Sequence, residues 1–279
     1  MSEDENLKPD GLRRLWGRRQ SFKLSARQEQ LFQTLLPQLQ ITLADHSVPG
    51  SIDPISFFDG ALGNPPAFAG EVDAKRAEGA FHSLTPPFPA APDLPPKWGR
   101  RQKRVSLEVG FGGGEHLAQW AKTHPDDCFI GAEHFINGLA KMLTHIEEEK
   151  LSNIRLFAGD ARRLVGSLKD ASLERVFILF PDPWPKKRHH KRRYVRDDTL
   201  IEIARVLTDG GMLRIASDIP DYIDWTLEHM ARRPEFARTS ESVERPHARP
   251  PDWPPTRYEQ KAIREGRIAS YLDYRRLSA

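Results

Sequence analysis

A chain of 279 residues with 38% hydrophobic side chains can bury one sizeable core, with room for a small appendage. Its 42 basic and 39 acidic residues leave a net charge of +3, so the overall balance selects no polyanionic partner and only clustering can. The single cysteine, Cys128, excludes an internal disulfide, and no apolar run reaches the roughly 20 residues that span a bilayer. The acidic residues 1–6 lack the apolar stretch of a signal peptide, which implies a soluble cytoplasmic protein.

Residues 1–42 read as a frayed tail followed by a helix. Leu31, Leu35, Leu36 and Leu39 share one helical face, and Ser25 with Gln28 has the spacing of a capping box. Residues 49–96 carry ten of the 23 prolines, a density that blocks long helices and central strands. The span 43–103 is therefore expected to be a Pro-rich insertion or linker, extended or flexible. From residue 104 to 279 the rhythm becomes strand, helix, strand, helix. Apolar runs at 105–109, 128–132, 154–157, 176–180 and 212–216 are bounded by turn residues. Between them lie helical patterns such as Leu139, Met142, Leu143 and Ile146. Such alternation implies an α/β fold with parallel strands and helices on both faces. A helix over 222–230 and a closing strand pair at 236–242 and 268–274 complete the reading.

The loop Gly110-Phe-Gly112-Gly113-Gly114 follows the first strand, and its glycines let a ligand approach the backbone closely. A dinucleotide fingerprint would place a third glycine where Glu115 stands, and a carboxylate there is a poor neighbour for a pyrophosphate. A cofactor without phosphate, such as S-adenosylmethionine, suits the loop better, and Glu108 at the strand end could face its amine. Glu133 lies 25 residues beyond Glu108 at the end of the second strand, where a carboxylate can accept ribose hydroxyls. Asp160 follows the third strand, where it could meet an adenine amine. Asp182 follows the fourth, in a loop stiffened by Pro181, Pro183 and Pro185 and carrying Trp184. Six Lys/Arg within residues 186–193 come next, and such a cluster can grip phosphates beside the reacting base. His189 and His190 belong to that surface, with no partner spaced for a metal site. Asp218 ends the fifth strand, and Thr256-Arg257-Tyr258-Glu259 offers a hydroxyl, a guanidinium, a ring and an acid. A carboxylate there could take hydrogen bonds from a guanine edge. These residues alone leave three rivals open: a nicotinamide-dependent dehydrogenase, a non-catalytic RNA-binding protein, and an RNA methyltransferase acting on an amine.

The chain resembles the bacterial tRNA (guanine-N7)-methyltransferases through Gly17-Arg18-Arg19, Glu108-Val-Gly-Phe-Gly, Gly131-Ala-Glu133, Phe180-Pro-Asp-Pro-Trp-Pro-Lys-Lys and Thr256-Arg-Tyr-Glu259. The resemblance implies a class I methyltransferase (Rossmann-like) fold, a seven-stranded, mostly parallel sheet with one antiparallel strand. It implies S-adenosylmethionine as methyl donor and a guanosine of the tRNA variable loop as acceptor. Cofactor binding then falls to Glu108, Glu133, Asp160 and Asp182 with the loop glycines Gly110 and Gly112, and catalysis to Asp182. Substrate contacts fall to Lys186, Asp218, Thr256, Arg257, Tyr258 and Glu259. RNA contacts fall to Arg188, His189, His190, Lys191, Arg192 and Arg193. Two departures stand out: the Pro-rich insertion, and Pro185 after Trp184 where many relatives carry His or Asn.

Overall fold

Short apolar runs rich in branched residues supply the strands, and the turn residues between them end each one. In the computed structural model, residues 21–43, 49–58, 103–251, 253–254 and 256–278 are described. The Gly17-Arg18-Arg19 motif, the N-terminal tail and most of the Pro-rich span lie outside them. Strands β1 (Val105–Val109), β2 (Cys128–Ala132), β3 (Ile154–Phe157), β4 (Leu173–Leu179) and β5 (Leu207–Ser217) pair in parallel. Strands β6 (Phe236–Arg238) and β7 (Ser270–Arg276) complete a seven-stranded sheet of order β3-β2-β1-β4-β5-β7-β6. β7 runs antiparallel to both neighbours, as the resemblance implies.

The helices are α1 (Ala26–Thr34), α2 (Leu36–Leu39), α3 (Glu115–Thr123), α4 (Ile136–Glu149), α5 (Ala161–Ser167), α6 (Asp197–Val206), α7 (Pro220–Ala231), α8 (Ser240–Glu244) and α9 (Arg257–Arg264). Alternate strand residues divide between two cores. Leu107, Ile130, Val176 and Leu213 pack with α5, α6 and α7. Phe129, Phe177 and Leu179 pack with Leu117, Leu143 and Leu36 of α3, α4 and α2. Each such side chain contributes roughly 1.5–3 kcal/mol by burial, and truncating fully buried Leu107 to Ala would cost about 2–5 kcal/mol. The same alternation turns Ser106 and Glu108 toward α3, where both are buried.

Local chemistry explains where the elements depart from expectation. The N-terminal helix splits at Leu35, because Pro37 in the first turn of α2 has no N–H to continue α1. Its capping box forms, with Gln28 N–H donating to Ser25 Oγ at 3.3 Å and Ser25 N–H to Gln28 Oε1 at 3.1 Å. β4 begins earlier and stops at Leu179, since Phe180 takes φ 48° and leaves the strand conformation. β6 ends at Arg238 because Thr239 accepts from Ser242 N–H and caps α8. The start of the Pro-rich span is packed rather than free. Ile52 N–H donates to Ser167 at 3.0 Å, and Phe58 is buried beneath the Arg155 guanidinium. At the sheet's edge, Gln40 bridges to Leu156 of β3, and Ile41 N–H donates to the Leu156 carbonyl at 2.7 Å. Among the described residues no helix is long and apolar enough to cross a membrane.

Candidate active site

The parallel strands all end on one side of the sheet, where the loops after β1, β2, β3 and β4 enclose a cavity of about 780 Å³. That lies within the usual range of small-molecule sites, roughly 300–1,000 Å³. Gly110, Gly112, Glu133, Asp160, Asp182 and Tyr258 all line it, so the fold gathers acids that are far apart in the chain. The glycine loop is tight for stated reasons. Gly112 has φ +56°, and a Cβ there would come within 2.9 Å of the Tyr258 ring. Gly114 caps α3 at φ +83°, and its Cβ would strike Met142 Sδ at 2.4 Å.

Glu133 is buried and fixed by the main chain. Oε2 accepts from Gly112 N–H at 2.9 Å, and Oε1 accepts from His134 and Phe135 N–H at 2.7 and 2.9 Å. A carboxylate has about four lone-pair positions, so Oε2 keeps capacity toward the cavity for a ribose hydroxyl. Asp160 caps α5 through Arg162 N–H at 3.0 Å and takes the Arg162 guanidinium as well. Burial opposes the charge on Arg162, but the hydrogen bond and attraction from Asp160 outweigh it and raise its pKa. This donor set fits S-adenosylmethionine: an acid held for a ribose, a second acid for an amine, and a glycine loop without a Cβ wall. The dinucleotide alternative is poorly served, because Glu115 holds the N-terminus of α3 and pairs with Arg257 at 2.7 Å.

Asp182 is exposed at the cavity, and among the described residues no hydrogen bond or ion pair engages its carboxylate. Its loop is strained on both sides, with Phe180 at φ 48° and Trp184 at φ 43°. Non-glycine residues in that region cost on the order of 1–3 kcal/mol each and persist only where their surroundings hold them. Lys191 and Arg192 also line the cavity, and the Arg192 guanidinium lies 4.8 Å over the Trp184 ring. Arg188 is exposed on the 3-10 turn Lys187–Arg192, and Lys186 precedes it in solvent. Partial burial, then Arg192, Arg188, Lys186 and Lys191, push His189 below the ordinary histidine range. His190 is half-buried against Trp225.

Several expected contacts point elsewhere. Arg193 is buried although it borders the cavity, and its guanidinium is held by Asp221 and by the Pro183 carbonyl. Glu108 is absent from the large cavity's lining. It accepts from His116 Nδ1 at 2.7 Å and borders a small adjoining recess with Thr256 and Tyr258. Asp218 pairs with Arg267 at 2.6 Å, outside the cavity lining. Thr256 caps α9, and Glu259 is buried beneath Tyr271, whose hydroxyl donates to Oε1 at 2.5 Å. Arg162, Tyr194, Arg196 and Thr199 line the cavity without having been expected to. Arg162 alone left a signal, a cation two residues after the helix-capping Asp160. His116 could have been found from strand alternation, which aims Glu108 at α3.

The sheet order and the cavity at its strand ends are those of a Rossmann-like fold, and a family model described as putative methyltransferase matches residues 102–271, which makes the class that of the methyltransferases. A tRNA (guanine-N(7)-)-methyltransferase from Nitrobacter hamburgensis is 40% identical over 280 aligned positions, covering 99% of this chain and 93% of that protein. One from Rhodopseudomonas palustris is 50% identical over 175, covering 63% of this chain and 68% of that protein. The chain belongs to the tRNA (guanine-N(7)-)-methyltransferase family. Among solved structures, an rRNA methylase from Streptococcus thermophilus aligns at TM-score 0.43 and 12% identity, over 63% of this chain and 88% of that one.

Proposed function

We infer that this protein methylates N7 of a guanosine in tRNA, and that the guanosine lies in the variable loop. The observation that carries the reading is the unengaged Asp182 carboxylate on the cavity that Gly112, Glu133 and Asp160 share. When bound, S-adenosylmethionine supplies an electrophilic sulfonium methyl. Glu133 would take the ribose hydroxyls and Asp160 the adenine amine.

Guanine N7 carries a lone pair outside the ring's π system, so it attacks carbon without losing a proton. A general base is not required for that step. Alignment of the base is the larger task, and held reactants gain several kcal/mol in effective molarity. The purine becomes positively charged as the bond forms. A carboxylate beside it therefore stabilises the transition state more than the ground state, and the exposed carboxylate of Asp182 on the cavity supports assigning that role to it.

The test is nucleoside analysis of unmodified tRNA incubated with the protein and labelled S-adenosylmethionine. 7-Methylguanosine is expected, with borohydride and aniline cleavage mapping to the variable loop. A methyl on an exocyclic amine would overturn the N7 assignment, and cleavage elsewhere would overturn the loop.

A further inference from the structure

Arg193 ends the cationic run, yet its side chain is 0% exposed. Its Nε donates to the Pro183 carbonyl at 2.8 Å and its Nη2 pairs with Asp221. The guanidinium plane lies over the rings of Trp225 and Tyr222 at 5.1 and 5.4 Å. Three of these partners belong to α7, and the fourth is the main chain next to Asp182. We propose that Arg193 is a positioning residue: it ties the peptide between Pro183 and Trp184 to α7 and so holds the Asp182 carboxylate over the cavity. The proposal rests on Asp182 belonging to the methyl-transfer site.

The loop's own chemistry calls for such a tie. Pro181, Pro183 and Pro185 carry no N–H, so the loop has few donors with which to fix itself. Among the described residues two hydrogen bonds secure it: Phe180 N–H to the Ala216 carbonyl at 2.8 Å, and Arg193 Nε–H to the Pro183 carbonyl. Asp182 sits between these two points. Both left-handed residues, Phe180 and Trp184, adjoin them, and a strained backbone keeps its shape only where its surroundings hold it. Arginine suits the post because its planar fork donates in two directions while lying flat on an aromatic ring. A lysine can keep the charge opposite Asp221 but cannot make both contacts and the stack.

Arg193→Lys is the informative variant. Misplacing a reacting group by about 1 Å can cost up to 100-fold, so kcat should fall about tenfold or more. KM for tRNA and the salt dependence of tRNA binding should stay close to wild type. Exchange of the Phe180 N–H, the loop amide that is hydrogen-bonded among the described residues, should quicken, while α6 and α7 keep their protection. Wild-type kcat with unaltered exchange overturns the proposal. A raised KM with a flattened salt dependence also overturns it, since that marks a direct phosphate contact. If Arg193→Lys does not fold, Arg193→Gln, which keeps one donor, takes its place under the same readouts. Absence of methyl transfer by the wild-type enzyme would sink the proposed function, while the exchange measurement would still decide whether Arg193 holds the loop.

Discussion

At Lys187 and Arg188 the cationic run turns its charges to solvent, while at its last residue, Arg193, and at Arg196 just beyond it the guanidinium groups are buried. Each buried one holds a carboxylate and a main-chain carbonyl: Asp221 and Pro183 for Arg193, Asp198 and Lys191 for Arg196. The residues are chemically alike and adjacent, so charge alone does not separate them. Position on the fold does. Exposed cations act through released counterions and weaken with salt, whereas buried ones are screened far less. Most of the run is thus available to a polyanion, while Arg193 at its end helps to build the loop that the exposed cations border.

The sharpest way to use that contrast is to remove what the loop presents. Asp182→Ala should lower the single-turnover methylation rate by roughly 100- to 1,000-fold, the size of effect seen when one transition-state electrostatic partner is lost. Its melting temperature should match wild type, because the carboxylate is exposed and carries no hydrogen bond among the described residues. Breaking the buried end comes next. Arg193→Ala removes packing on two rings together with an ion pair and a main-chain bond, and should cost about 2–3 kcal/mol in urea unfolding. That loss should persist in high salt.

The exposed cations should behave in the opposite way. Lys187→Ala with Arg188→Ala should leave the urea midpoint in place and reduce the salt slope of tRNA binding by about 1.5, near 0.7–0.9 per phosphate contact. The smallest effect belongs to His189. Partial burial and the neighbouring cations lower its pKa and favour the neutral ring. His189→Ala should therefore bind tRNA like wild type at neutral pH. A difference should open only as the pH drops through that depressed value and the wild-type ring gains its proton, as titration of affinity against pH would show.

Much of the sheet was legible because buried parallel strands are short apolar runs between turn residues. β1, β2 and β3 have the bounds that the runs 105–109, 128–132 and 154–157 give. β4 was harder, since its early residues Glu174 and Arg175 are half-buried and polar. Phe180 looks like strand but is turned out of it by its backbone, which hydrophobicity does not record. Within the site, Glu133, Asp160 and Asp182 were legible because strand ends share one side of the sheet. Arg193 was not, because burial of a cation depends on Asp221, Tyr222 and Trp225, residues of a helix formed later in the chain. Asp218 and Glu259 likewise found partners, Arg267 and Tyr271, that no local spacing announces.

The bridge from Gln40 to Leu156 has a bearing on solubility. β3 is the outermost strand on its side of the sheet, and an uncovered outer strand offers a row of free amides and carbonyls to other chains. The stretch after α2 takes one of those carbonyls through Ile41 N–H, and the buried Leu36, Leu39 and Ile41 seal the flank. A chain shortened to begin at residue 44 would keep every strand-end acid of the cavity. It would leave the outer edge of β3 uncovered there, and uncovered edges are where strands of separate chains pair, so more aggregation than in the full chain is expected by light scattering.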